Sequence, residues 1–297
     1  MEQTIAILTE GLKKSYGNVQ ALRGVDLQVC CGEIFGFLGP NGAGKTTTIR
    51  CLLDLIRPNG GTVRVLGLDP QKDPVAVRDR VGYLPGELHF YENMSAEGAL
   101  RYLNSLRNGK ADWDTIRKIA GRIDLDLKIA IKNLSKGNKQ KIGVVQALMH
   151  RPDLLLLDEP TFGLDPLVQQ EVLRLVAEAK DYGATVFFSS HILSEVQEIS
   201  DRVGIIRQGE VVEVAKTSSL INRSIRRARV RFKQPVDGSA LSAVPGVHLL
   251  SQDDGMSVIL QVEGEMDELI KALSQYPVLD FETERPSLEE IFLAYYK

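Results

Sequence analysis

The segment Gly39-Pro40-Asn41-Gly42-Ala43-Gly44-Lys45-Thr46-Thr47 leaves this chain few folds to adopt. It follows an apolar run, Ile34–Leu38, and precedes Ile49, Leu52, Leu53 and Ile56 at i, i+3, i+4, i+7, the spacing of one helix face. A strand that enters a glycine-rich turn and leaves as a helix turns backbone N–H groups inward, and the helix N-terminus adds its positive dipole end. The result is a cradle for phosphate. Residues Gly39 to Thr47 are therefore candidate nucleotide contacts, with Lys45 bridging β- and γ-phosphates and the Thr46 hydroxyl a ligand for Mg²⁺.

Two further constellations narrow the chemistry. Leu154–Leu157 reads as a buried strand ending in Asp158-Glu159. An Asp at such a strand end is the usual second holder of Mg²⁺ beside a phosphate loop. Glu159, one residue on, turns to the other side of the extended chain, where it suits a general base. Then Leu134-Ser135-Lys136-Gly137-Asn138 opens a helix carrying Ile142, Val145 and Leu148 on one face. A Ser and a Gly at a helix start make a second anion site. Since the Gly39 loop already supplies one, a second implies another phosphate position or another subunit.

Other short apolar runs, Thr4–Leu8, Val25–Val29, Thr62–Val65, Thr185–Phe188 and Val203–Ile206, alternate with helical patterns, which predicts an α/β sheet. Between about 88 and 135 the pattern turns polar and helical, with Trp113, Ile116 and Ile119 three apart, as an inserted helical subdomain would. A boundary is expected near 218/219. Beyond it, Arg229–Phe232, Ser257–Val262 and Val278–Phe281 read as strands. Met266, Leu269, Ile270 and Leu273 fall on one helix face, and Ser287 with Glu290 forms a capping box for a last helix. The expected layout is residues 1–218 as a nucleotide-binding domain and 219–297 as a small α/β domain. Arg223, Arg226, Arg227, Arg229 and Arg231 at the junction read as a charged, solvated strand edge, with contact to anionic lipid headgroups as the alternative.

Composition excludes several classes. A formal charge of -3 argues against bulk nucleic-acid binding, so no nucleic-acid partner is expected. No run approaches the roughly 18 apolar residues of a membrane span. The N-terminus lacks the shape of a signal peptide. Cys30, Cys31 and Cys51 match no metal spacing and read as small buried residues of a reducing compartment. These features predict a cytosolic chain that reaches a membrane only by docking.

Taken in order, these motifs resemble those of the ATP-binding subunit of an ABC transporter, over roughly residues 4–215. Gly163-Leu164-Asp165 resembles that family's D-loop, His191 its switch histidine, and Tyr16 the aromatic residue that stacks on adenine. The resemblance implies a P-loop ABC cassette with an inserted helical subdomain, using ATP and Mg²⁺. It implies that two copies sandwich two ATP molecules, with Ser135, Lys136, Gly137 and Asn138 reaching the partner's ATP. Glu159 and His191 are then catalytic, and Asp158 and Thr46 hold the metal. One phosphate loop and one signature per chain fit that sandwich, and a homodimer is expected because both sites look intact apart from Gly86.

The sequence departs from the family pattern twice. The signature has Lys136 and Asn138 in place of the common Gly and Gln, while keeping Ser135 and Gly137. Gly86 stands where the family has Gln or Glu, so Glu87 beside it is a candidate metal ligand instead. Tyr83-Leu-Pro, Leu-Ser-Lys-Gly and Pro286–Phe292 resemble ATPase subunits of bacterial drug exporters. That implies a separate integral-membrane permease, a place on the cytoplasmic face of the cell membrane, and drug-like or lipid-like cargo. The contact surface for the permease is expected around Leu88–Tyr91. A soluble ABC-type ATPase acting on ribosomes or DNA is the alternative, and a ligand-binding C-terminal module is compatible with either.

Overall fold

The computed structural model describes residues 4–222, 225–263 and 265–284. The chain divides into two compact units, Met1–Ala215 and Lys216–Lys297. Thr217 and Ser218 thus fall in the second unit rather than the first.

The first unit begins with a hairpin, β1 (Ile5–Tyr16) and β2 (Val19–Cys30), followed by β3 (Ile34–Leu38), α1 (Lys45–Leu52) and β4 (Gly60–Val65). Strand β4 pairs with the other edge of β1, giving an antiparallel sheet in the order β2-β1-β4. Next come α2 (Pro74–Asp79), β5 (Val81–Leu84), α3 (Ala96–Ser105), α4 (Trp113–Arg122) and α5 (Lys136–Leu148). The unit closes with β6 (Leu154–Asp158), α6 (Pro166–Asp181), β7 (Thr185–Ser190), α7 (Leu193–Ile199), β8 (Arg202–Arg207) and β9 (Glu210–Lys216).

Six of these strands form one sheet in the order β5-β6-β7-β3-β8-β9. The pairings β5–β6, β6–β7, β7–β3 and β3–β8 are all parallel. Every residue of β3, β6 and β7 is buried, as expected of parallel strands covered on both faces. Phe35 of β3 stacks on Phe187 of β7 at a centroid distance of 5.8 Å, and Phe37 packs against the same ring at a tilt, 5.2 Å away. The order has a direct consequence: β6, β7 and β3 are neighbours, so their carboxyl ends emerge side by side. In open parallel sheets that edge is where ligands bind.

The stretch expected to be a helical subdomain resolves into α3, α4 and a single 3-10 turn, Ile131–Asn133. Side chains cap each helix: Ser95 accepts from Gly98 N–H, Asp112 from Thr115 and Ser135 from Asn138. Ile116 and Ile119 form the buried face of α4. The Arg101 guanidinium stacks on Trp113, 4.0 Å from the ring centroid. Cys31 is exposed, contrary to the expectation that all three cysteines are buried; Cys30 and Cys51 are.

The second unit comprises α8 (Thr217–Asn222), β10 (Ile225–Phe232), β11 (Val247–Asp253), β12 (Ser257–Glu263), α9 (Asp267–Leu273) and β13 (Val278–Glu284). Its sheet runs β11-β12-β10-β13. Strand β10 is therefore interior, which corrects the reading of Arg226, Arg227, Arg229 and Arg231 as a strand edge, while Arg223 lies outside the described residues. Ala228, Val230 and Phe232 fill the core, and the alternate arginines pair across to β13. Arg231 lies 2.6 Å from Asp280 and Arg229 3.9 Å from Glu282. The capped helix expected from Ser287 onward lies outside the described residues. Among the described residues, no helix is long and apolar enough to cross a membrane.

Candidate active site

The turn after β3 carries Gly39–Thr47 into α1. Gly44 has φ 113°, and a β-carbon there would sit 2.8 Å from the Ala21 carbonyl oxygen, so only glycine fits. No side chain caps α1, which leaves its first-turn N–H groups to a ligand. The Lys45 ammonium is buried and donates to the carbonyls of Gly39 (2.5 Å) and Pro40 (3.3 Å). It also pairs with Glu159 Oε1 at 3.1 Å. A groove of about 300 Å³ is lined by Ala21, Pro40, Asn41, Gly42, Gly44, Lys45, Thr46, Thr47 and Glu159.

Strand β6 ends at Asp158, and the residue after it, Glu159, reaches this groove. Asp158 is fully buried; its Oδ1 accepts a 2.6 Å hydrogen bond from Ser189 Oγ, and its Oδ2 has no hydrogen-bond partner. An orphaned, buried carboxylate oxygen is costly unless something cationic meets it. A divalent ion bound there would meet that need. Glu159 adopts φ 51°, a left-handed conformation that costs a non-glycine residue about 1 kcal/mol. Its N–H donates to Ser189 O and Oγ, both at 3.2 Å, which holds it there. The strained turn swings its carboxylate between Lys45 and His191, whose Nδ1 lies 2.7 Å from Glu159 Oε2. His191 stands immediately after β7, the neighbour of β6.

Strand pairing thus brings Lys45, Asp158, Glu159 and His191 together from three places in the sequence. Tyr16 is not among them. It ends β1, 48% exposed, with the Lys14 ammonium 5.3 Å from its ring centroid, outside the lining of the groove. Glu87 is exposed, and no cluster of three or more His, Cys, Asp or Glu able to hold a metal forms among the described residues. Gly86 packs its backbone against Asp158.

Ser135, Gly137 and Asn138 line one side of a separate cavity of about 500 Å³, with Leu134, Lys141 and the Gly163–Asp165 turn; Asp124, Asp126 and Ile129 line the rest. It shares no lining residue with the Lys45 groove. Lys136 rests its ammonium on Phe162, 4.4 Å from the ring centroid. A β-carbon on Gly137 would collide with the Gly163 carbonyl, so glycine is required there by contact alone.

Three site residues have no motif in the sequence. Ser189 orients Asp158 and Glu159. Gln140 of α5 donates to the carbonyls of Glu159 and Pro160. Glu195 of α7 is buried and bonded to Thr161 Oγ1 and to Ser190 Oγ, so one carboxylate ties the segments that carry Glu159 and His191. Burial pushes its carboxyl above the usual range, although both hydroxyls pull the other way and the Glu159 charge adds to the rise.

The family follows from comparison with known proteins. Over 211 residues the chain is 41% identical to the bacitracin transport ATP-binding protein BcrA of Bacillus licheniformis, covering 70% of this chain and 68% of that protein. The chain belongs to the ATP-binding proteins of ABC transporters. Residues 22–162 match the family model described as ABC transporter, and 217–296 that of the DrrA1-3-like ATP-binding protein C-terminal domain. The daunorubicin/doxorubicin resistance ATP-binding protein DrrA of Streptomyces peucetius is 32% identical over 309 aligned positions, covering 99% of this chain and 93% of that one. Among solved structures, an ATP-binding subunit of an ABC transporter superposes with a TM-score of 0.65 at 29% identity, over 72% of this chain and 91% of that one. The protein is thus an ABC ATPase that binds ATP through the cassette fold.

Proposed function

We propose that two copies of this chain close face to face around two ATP molecules and drive an integral-membrane permease from the cytoplasmic side. The observation that carries this reading is the separation of the two anion sites. The Lys45 groove and the Ser135 cavity have no residue in common, so one chain offers two half-sites and a second copy completes each. Because both half-sites are in one chain, a homodimer suffices.

In each composite site the Gly39–Thr47 amides and Lys45 hold the phosphates, and Tyr16, exposed beyond the groove at the end of β1, would stack on the adenine. Ser135, Lys136, Gly137 and Asn138 of the second copy cover the γ-phosphate. Thr46 and Asp158 would hold Mg²⁺, which supplies charge neutralisation at the β- and γ-oxygens. Arriving γ-phosphate draws Lys45 from Glu159, which frees that carboxylate to take a proton from the attacking water. His191, already bonded to Glu159, fixes its orientation and reaches the γ-phosphate. ATP thereby closes the interface, and hydrolysis opens it.

Export of drug-like or lipid-like compounds is the cargo reading. Its support is the relatives' names, which speak of bacitracin transport and of daunorubicin and doxorubicin resistance, together with the DrrA-like second unit. The test is to tag the Glu159→Gln variant in its host, solubilise the membranes and identify what co-purifies. A stoichiometric polytopic membrane protein is expected. Ribosomal or DNA-bound partners, with the protein absent from membranes, would overturn the permease reading in favour of a soluble ATPase.

A further inference from the structure

We infer that Gln140 is a positioning residue that couples the Ser135–Asn138 cavity to the same subunit's base, Glu159, so that a phosphate read on one face sets the carboxylate on the other. The inference rests on the proposed roles of those two sites.

The argument starts from the strained turn. Glu159 holds φ 51°, a conformation that persists only where its surroundings fix it. Its N–H is held from β7. Its carbonyl accepts from Phe162 N–H at 3.1 Å and from Gln140 Nε2 at 3.0 Å, and the same Nε2 reaches the Pro160 carbonyl at 3.2 Å. Pro160 has no N–H, and both neighbours of the amide are acceptors, so the nitrogen must face them. Gln140 is buried at 5% exposure, where losing the donor strips the Pro160 carbonyl of this bond without water to replace it and leaves the Glu159 carbonyl to Phe162 N–H alone.

Gln140 lies one helical turn beyond Lys136 on α5, the helix whose N-cap is Ser135. The same side of that helix makes two more contacts with the loop after Glu159. Lys136 sits on the Phe162 ring, and Gly137 abuts the Gly163 carbonyl. The first turns of α5 and residues 159–163 are therefore joined at three points, and only Gln140 holds the peptide of Glu159 itself. A shift of α5 toward a bound phosphate moves that peptide with it.

The test uses the full chain. Gln140→Met keeps the length and removes the donor; Gln140→Asn keeps the amide but withdraws it, and serves if the first variant fails to fold. Either is expected to lower kcat about 10- to 50-fold, with KM for ATP within twofold of wild type. The decisive readout is the double variant. In the Glu159→Gln background, single-turnover hydrolysis of labelled ATP is expected to fall less than twofold further, because Gln140 acts through the missing carboxylate. An equal further loss in that background would mean a general structural role and overturn the inference, as would unchanged kcat. Wild-type turnover by Glu159→Gln alone would instead sink the base assignment, and the coupling with it.

Discussion

A β-carbon on Gly86 would stand 2.9 Å from Asp158 Oδ2, closer than real side chains approach. The position that the sequence resemblance sets against a Gln is here a bare backbone laid against the carboxylate proposed to hold Mg²⁺. Gly86 is thus fitted to Asp158, and its lack of a side chain is a packing requirement.

Restoring the family residue should therefore harm the enzyme. Gly86→Gln is expected to lower ATP hydrolysis about 10- to 100-fold, the usual result of misplacing a catalytic group by a fraction of an ångström or more. The required Mg²⁺ concentration should rise. Steady-state rates across a Mg²⁺ titration check this, and a rate equal to or above wild type would refute it.

The base makes a second prediction. Glu159 is the carboxylate that meets both Lys45 and His191. Glu159→Gln is expected to cut turnover by about 10²- to 10⁴-fold while leaving ATP binding intact. Parallel hydrolysis and equilibrium nucleotide-binding measurements separate the two.

Arg122 supports a stability prediction. It ties α4 to α6, with Nε 2.5 Å from Glu171 and its terminal nitrogens 2.6 and 2.7 Å from Glu178. These hydrogen bonds raise the Arg122 pKa and hold the Glu178 carboxyl below its usual value. Arg122 and Glu171 are mostly shielded from solvent, so Arg122→Ala should cost about 2 kcal/mol, between the exposed and buried limits. Glu178 is more open and Glu178→Gln should cost less. The single tryptophan, Trp113, lies on α4, so its fluorescence during urea unfolding reads this contact directly.

His150 sets a pH dependence. Burial first, and then the Arg107 charge, push its imidazole down to about 4. The unfolded chain binds that proton near pH 6.5, so between those values it holds more protons than the folded state. The stability tied to neutral His150 is complete above about pH 6.5 and drains away as pH falls toward 4, amounting to about 3 kcal/mol at most. His150→Gln should flatten the fall of the melting temperature over that window; an unchanged slope would exclude it.

What was legible in the sequence was local. The Gly39–Thr47 loop, the Asp158-Glu159 strand end and the Ser135 cap each draw their geometry from consecutive residues. Strand β5, only Val81–Leu84 and containing Gly82, was too short to read, and β9 and β11 lacked a dense apolar run. The place of β10 inside its sheet depends on strand order, which no local pattern encodes. Gln140 and Glu195 were invisible for the same reason. Their partners are backbone carbonyls 19 and 20 residues away and a hydroxyl 34 residues away, brought close only by the packing of α5 and α7 on the parallel sheet.

The central claim is that each ATP site is completed by a second copy of the chain. Analytical ultracentrifugation of Glu159→Gln with and without ATP and Mg²⁺ tests it most directly. The account predicts a monomer without nucleotide and a dimer with it, and a return to monomer when Ser135 is replaced by Arg in the same background. A chain that stays monomeric at saturating ATP, or whose ATP-induced dimer ignores the Ser135 substitution, would contradict it.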